Sequence, residues 1–201
     1  ISFGMSREAM EYDVVIVGAG PAGLSTAIKL KQLDPNLNVC ILEKGSEVGA
    51  HILSGNVFET KALDELIPNW KNEGAPVKTK VSKEKFLFLG KNSSLSWPTW
   101  LLPAVQKNHK NYIVSLANLC RWLAEQAEKL GVEIFPGFPA SEVLYNEDGS
   151  IKGVATLDMG LDKEGNKKDT YQEGMELHAK VTVFSEGCRG HLGKQLIKKF
   201  N

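Results

Sequence analysis

Asp13-Val-Val-Ile-Val-Gly18-Ala-Gly-Pro-Ala-Gly23 is the stretch that decides the fold of this 201-residue chain. Asp13 to Val17 is short, apolar and rich in β-branched residues, which predicts a buried strand. Gly18, Gly20 and Gly23 follow directly in G-x-G-x-x-G spacing, and a helix is predicted from about Pro21 to Leu33, with Leu24, Ala27 and Ile28 on one face. Asp34-Pro-Asn is a turn, and Asn38 to Glu43 is a second strand. The two strands should be parallel neighbours joined by a right-handed crossover. A glycine motif alone is a weak signal. Here a strand precedes it, a helix opens inside it, and Glu43 stands 20 positions beyond Gly23, the context of a dinucleotide-binding fingerprint. Gly18 allows the tight turn, Gly20 lets the backbone approach a pyrophosphate, and Gly23 lets helix and strand pack closely. The helix N-terminus offers free N–H groups and partial positive charge to phosphates. Glu43 can accept hydrogen bonds from a ribose diol.

NAD and FAD both suit that geometry. The position of the motif near the N-terminus and Glu rather than Asp at 43 favour FAD. So does Val48-Gly-Ala-His-Ile-Leu-Ser-Gly55, which resembles the loop beside the isoalloxazine ring in many FAD oxidoreductases.

Further along, a helix is predicted over Lys61 to Ile67, after a Gly/Ser-rich loop. A second helix runs from Ser115 to Leu130, with Leu116, Leu119, Cys120, Leu123, Ala127 and Leu130 at helical spacing, Ser115 as N-cap and Gly131 as C-terminal stop. Val132 to Phe135 reads as a third parallel strand. Ala140 to Tyr145 and Ile151 to Leu157 form a hairpin about Asn146-Glu-Asp-Gly149. Lys163 to Thr170 reads as a solvated polar loop. Glu176 to Ser185 is a strand leading into a small-acidic-Gly turn, Ser185-Glu186-Gly187.

Phe86-Leu-Phe-Leu89 and Leu95-Ser-Trp-Pro-Thr-Trp-Leu-Leu-Pro103 form an apolar hairpin region that holds two of the four tryptophans. Apolar residues fall on both faces of each arm, unlike a half-solvated hairpin. Tryptophans flanked by lysines suit a membrane interface, and burying five such side chains is worth at most roughly 10 kcal/mol. Packing against another domain is the alternative.

Twenty-four basic residues balance 24 acidic ones, so no basic excess points to nucleic acid. No apolar run approaches bilayer length. Cys40, Cys120 and Cys188 are far apart, which argues against a disulfide framework or a metal site built from this chain alone, and suits a reducing compartment. The histidines show no ligand-like spacing, and no catalytic acid, base or nucleophile can be assigned. Met5 is read as the native start.

Val14 to Lys44, Val48 to Gly55, Asn108-His-Lys-Asn-Tyr-Ile-Val114, Trp122-Leu-Ala-Glu-Gln-Ala127 and Leu177 to Leu192 together resemble the electron-transfer flavoprotein–ubiquinone oxidoreductase family. The resemblance runs from about Glu11 onward, and its last two stretches are the specific ones. It implies one FAD and one [4Fe–4S] cluster, with electrons taken singly from reduced electron-transfer flavoprotein and passed to ubiquinone. It implies a peripheral place on the cytoplasmic face of the bacterial inner membrane or the matrix face of the mitochondrial one. Phe86 to Pro103 would be the membrane-facing, quinone-binding part. The motif contributes Gly18, Ala19, Gly20, Pro21, Ala22, Gly23 and Glu43 to the FAD site. The resemblance extends that set to Lys44, Ala50, His51, Ser54, Gly55, Val143, Glu186 and Gly187. Nothing here matches the family's cluster cysteines, so the chain reads as an N-terminal fragment, inactive alone.

The expected fold is α/β: a Rossmann-like FAD-binding domain of the glutathione-reductase/hydroxylase type, with a β-meander and an inserted hairpin region. Its segments are 1–52, an insert at 53–103, and 104–201. Two other functions fit the residues: an FAD-dependent reductase or hydroxylase of the geranylgeranyl reductase type, and a non-catalytic membrane-binding fragment.

Overall fold

The computed structural model describes residues 7–188 and 190–200. In chain order the first elements are β1 (Ala9–Val17), α1 (Pro21–Leu33), β2 (Val39–Glu43), β3 (Asn56–Phe58), α2 (Lys61–Leu66), β4 (Thr79–Lys80), β5 (Phe86–Leu89) and β6 (Ser94–Trp97). Then come β7 (Tyr112–Val114), α3 (Leu116–Lys129), β8 (Glu133–Pro136), β9 (Ala140–Tyr145), β10 (Ile151–Thr156), β11 (Met159–Leu161), β12 (Lys167–Gln172), β13 (Glu176–Phe184) and α4 (His191–Phe200). The chain forms two compact units, 1–52 with 120–201, and 53–119. The second cut falls at 119/120 rather than 103/104, because β7 pairs with β3 and β4 and so belongs with the insert.

The larger unit is a six-stranded sheet in the order β8-β2-β1-β13-β10-β9. β1 lies parallel to both β2 and β13, and β8 parallel to β2, as the β-α-β reading requires. Along β1, successive side chains point to opposite faces. Val15 and Val17 join Cys40, Leu42, Val154, Leu177 and Leu192 in one apolar cluster. Ile16 faces the other way, toward α1 at Gly23, and Leu24, Ala27 and Ile28 of that helix are completely buried. At the far end of α1, Lys31 is buried with its ammonium donating to the carbonyls of Pro35 and Leu37 at 2.6 and 2.9 Å. That satisfies a charge which burial alone would penalise.

The polar-loop expectation needs correction. Lys163 to Thr170 is not one open loop: Lys167–Gln172 is β12, paired antiparallel with β11. Asp162 takes the turn, accepting from the backbone of Glu164 and Asn166 at 2.9 and 2.7 Å. The hairpin β9–β10 forms as expected, and through β10, which pairs antiparallel with β13, it extends the main sheet. In α3 the predicted stripe holds at Leu119, Cys120, Leu123 and Ala127, whereas Leu130 is exposed. Ser115 caps the helix through Asn118 N–H at 3.4 Å.

The smaller unit contains β3-β7-β4 and the separate hairpin β5-β6. Trp70 anchors the unit: its indole N–H donates to Asp64 at 2.7 Å and its ring meets Tyr112 edge-on at 6.1 Å. The hairpin register sets Phe86 against Trp97 and Phe88 against Leu95, with Leu87 opposite Ser96 and Leu89 opposite Ser94. One face is therefore wholly apolar and the other alternates leucine with serine. Phe88 packs edge-on against Phe86 and Trp97, yet it is 54% exposed and Leu95 65%. Beyond the hairpin, Trp100 is 75% exposed and Leu101 and Val105 are also open. Among the described residues, no helix is long and apolar enough to cross a membrane.

Candidate nucleotide-binding site

The site grows out of the end of β1. Gly18 N–H donates to Leu42 O at 2.8 Å and Ser185 N–H to Val17 O at 2.9 Å, so both neighbouring strands hold the chain where it leaves the sheet. The Ser185 hydroxyl lies 3.0 Å from the carbonyl oxygens of Val17 and of Gly18. These bonds leave no room for side chains. Gly18 sits at φ +105, and a Cβ there would come within 2.6 Å of Ser185 O. A Cβ at Gly23 would collide with Gly18 O and lie 2.6 Å from Ser185 Oγ.

Gly20 is different. It is the N-cap of α1 at φ −80, a conformation open to any residue, and a Cβ on it would meet nothing within 4 Å. Nothing in the protein itself demands glycine there. The helix above it has no side-chain cap and no acidic residue in its first turn, and Pro21 at its start has no N–H. The Ala22 and Gly23 N–H groups thus close the positive end of α1 over open space, while Ala19 is buried beneath it. The arrangement is a cradle for an anion, with its only steric vacancy at the middle glycine.

Glu43 ties the second strand to this cradle. One carboxylate oxygen accepts from Ala19 N–H at 3.0 Å and the other from Gly45 N–H at 2.7 Å. The sequence suggests a ribose acceptor; the structure adds that both oxygens already organise backbone, each with a lone pair left over. Gly45 O accepts from Gly137 N–H at 2.7 Å and Glu43 O from Phe138 N–H at 3.1 Å, so the turn after β2 is fastened to the end of β8. Cys120 of α3 sits close enough to feel the Glu43 charge. Its thiol is pushed up to about 11, first by burial and then by Glu43, which keeps it protonated and unreactive.

Lys44, Ala50 and His51 are exposed on the following turns. Ser54 and Gly55 are also exposed, but they belong to the smaller unit. Glu186 acts locally, where its carboxylate accepts from Gly193 N–H at 2.9 Å and from Leu192 N–H at 3.4 Å and so caps α4. Gly187, at φ +78 with open space where a Cβ would be, is the part of that turn free to meet a ligand. Val143 stands apart on the edge strand β9. Its side chain is buried in the cluster with Tyr12 and Leu177 and it pairs with Val154, so any ligand contact would come through its backbone.

The residue that sequence reasoning passed over is Ser185. Its signal was faint: a small hydroxyl residue at a strand end, with no hint that Gly18 lies beside it. A second concavity, edged by Glu47, Arg121, Glu125 and Glu128, has a volume of about 150 Å³. That is below the roughly 300 Å³ of small ligand pockets, and its carboxylates suit no phosphate. Among the described residues, no group of three or more His, Cys, Asp or Glu is placed to hold a metal ion.

The Thi4 family model matches residues 2–66, the part that contains the cradle. Among curated proteins, the chain is 57% identical to a probable electron transfer flavoprotein-ubiquinone oxidoreductase of Acinetobacter baylyi, over 98% of this chain and 36% of that one. It is 58% identical to the electron transfer flavoprotein-ubiquinone oxidoreductase of Pseudomonas aeruginosa, over 98% of this chain and 37% of that one. To the mitochondrial protein of that name from Mus musculus it is 54% identical, over 98% and 32%. The chain spans about a third of the length of the curated relatives it matches. Among solved structures, a geranylgeranyl bacteriochlorophyll reductase-like protein from Thermoplasma acidophilum superposes with a TM-score of 0.62 at 19% identity, covering 89% of this chain and 40% of that one. THI4 of Thermovibrio ammonificans gives 0.58 at 18% identity, covering 95% and 64%. At such identities the likeness shows a shared Rossmann-like α/β fold.

Proposed function

We propose that this chain is the part of an electron transfer flavoprotein-ubiquinone oxidoreductase that cradles the ADP half of FAD and presents a hairpin to the membrane. The identity of more than half of its residues with proteins of that name, over nearly its whole length, carries the reading. The cradle supports the cofactor. Gly20 leaves the vacancy a pyrophosphate needs, the α1 N-terminus supplies donors, and Glu43 keeps lone pairs for a ribose diol. FAD would supply the electron-accepting and electron-donating chemistry, and this chain's residues bind and orient it. The further FAD contacts are Lys44, Ala50, His51, Ser54, Gly55 and Gly187, with the backbones of Val143 and Glu186. The [4Fe–4S] cluster we assign to the remaining length of the relatives, since the described residues here offer no ligand set for it.

Electron-transfer flavoprotein is the donor in this reading and ubiquinone the acceptor. The exposed apolar surface of residues 86–105 makes the contact with the bilayer. The protein would lie peripherally, on the cytoplasmic face of a bacterial inner membrane or the matrix face of a mitochondrial one. The test uses the full-length protein with reduced electron-transfer flavoprotein and a short-chain ubiquinone, and steady quinone reduction is expected. No quinone reduction, with consumption of NADPH on an isoprenoid or aromatic substrate instead, would move the assignment to the reductase or hydroxylase class. Within the same enzyme, Glu43→Ala removes the acceptor for two backbone N–H groups. Affinity for ADP should fall by about 1–3 kcal/mol, read by calorimetric titration; unchanged affinity would detach Glu43 from the site.

A further inference from the structure

Residues 78–110 hold seven lysines and a single carboxylate, Glu84, so this stretch carries +6 in a chain whose formal total is zero. The fold concentrates that charge. Glu84 turns inward and accepts from Asn108, from its backbone N–H at 2.9 Å and its side-chain amide at 3.2 Å. Val81 N–H donates to Asn111 O at 2.9 Å. These bonds draw the segment before the hairpin against the segment after it. Lys83 and Lys85 on one flank and Lys110 on the other are thereby gathered at one place, while the one opposing charge is engaged. The same unit exposes Phe88, Leu95, Trp100 and Val105.

We infer that this surface recognises an anionic phospholipid bilayer, with the lysines on acidic headgroups and the aromatic hairpin in the interface below them. The inference rests on the membrane contact proposed above and names the lipid class it requires. A zwitterionic surface would satisfy the apolar side chains but would leave the +6 without a counterpart. Neutral protein partners would do the same. Each lysine near an anionic surface adds about fivefold to partitioning, and the gain is screened by salt.

The test is sedimentation of the intact protein with vesicles of phosphatidylcholine alone and of phosphatidylcholine mixed with phosphatidylglycerol, at low and high salt. Binding should be far stronger to the mixed vesicles and should weaken as salt rises. The triple variant Lys83→Gln, Lys85→Gln, Lys110→Gln should lose roughly 100-fold in partitioning onto mixed vesicles, with its value on phosphatidylcholine unchanged. Equal binding to both vesicles, insensitive to salt and to the triple variant, would overturn the lipid preference while leaving membrane contact in place. Failure to sediment with either vesicle would overturn both.

Discussion

Gly20→Val is expected to leave the protein folded and to abolish nucleotide binding. The space around Gly20 is empty within 4 Å and its φ of −80 suits any residue. The fold should lose only the difference between glycine and valine as an N-cap, about 1 kcal/mol or less, a fall of some 2–4 °C in Tm. The vacancy is what a pyrophosphate would fill, however, and a branched side chain there should cost at least about 100-fold in affinity, roughly 3 kcal/mol. Gly23→Val separates the two demands. Its Cβ would meet the Gly18 carbonyl, which is backbone and cannot retreat without disturbing the end of β1, and the Ser185 hydroxyl, which would have to give up its bonds to Val17 O and Gly18 O. Loss of more than about 3 kcal/mol of stability is expected, because backbone must shift. Thermal melts and flavin content of the purified full-length variants check both. A flavin-replete Gly20→Val protein would show that the cradle is not the nucleotide site.

Replacing Trp97 and Trp100 together with serine should sharply reduce vesicle binding and lower Tm only modestly. Trp100 is 75% exposed, so the folded chain gains little from it, whereas Trp97, 41% exposed and edge-on to Phe88, contributes about 1 kcal/mol through that ring contact. In a bilayer interface the same two indoles would contribute up to about 3 kcal/mol each, enough to lower partitioning by a factor of roughly 100 or more. A core reading gives the opposite result: each large-to-small change in packed surroundings would cost about 3–5 kcal/mol. A steep fall in Tm with vesicle binding intact would mean that the hairpin is an internal surface.

Much of this was readable from residues alone, for identifiable reasons. The β-α-β unit announces itself through local signals, a β-branched run, spaced glycines and an acidic residue at the next strand end. Local signals place α1, β2 and β8 correctly. The hairpin β5-β6 was legible because its arms are apolar and a polar turn divides them. What escaped depends on distant partners. β3, β4 and β7 are two or three residues long and exist only because they pair with one another. β12 has the sequence Lys167-Lys-Asp-Thr-Tyr-Gln172, polar enough to read as loop until β11 is placed beside it. The double engagement of Glu43 and the capping by Glu186 are side-chain-to-backbone bonds that no spacing rule reveals. Ser185 matters only because β13 returns to β1.

That return has a consequence for how the chain comes into being. β1 finds β2 within a few tens of residues, but its other neighbour is β13, with Val14 opposite Val181. At about 5–20 residues per second of synthesis, roughly 10–30 s pass before that partner emerges. Through this interval one edge of an apolar strand stands open, a hazard for aberrant pairing. The smaller unit completes every one of its described strand pairs between residues 56 and 114, so it can close first. The hydroxyl that clamps the fingerprint turn arrives only with Ser185. The phosphate cradle is thus finished late in assembly, because its glycines precede Ser185 by more than 160 residues.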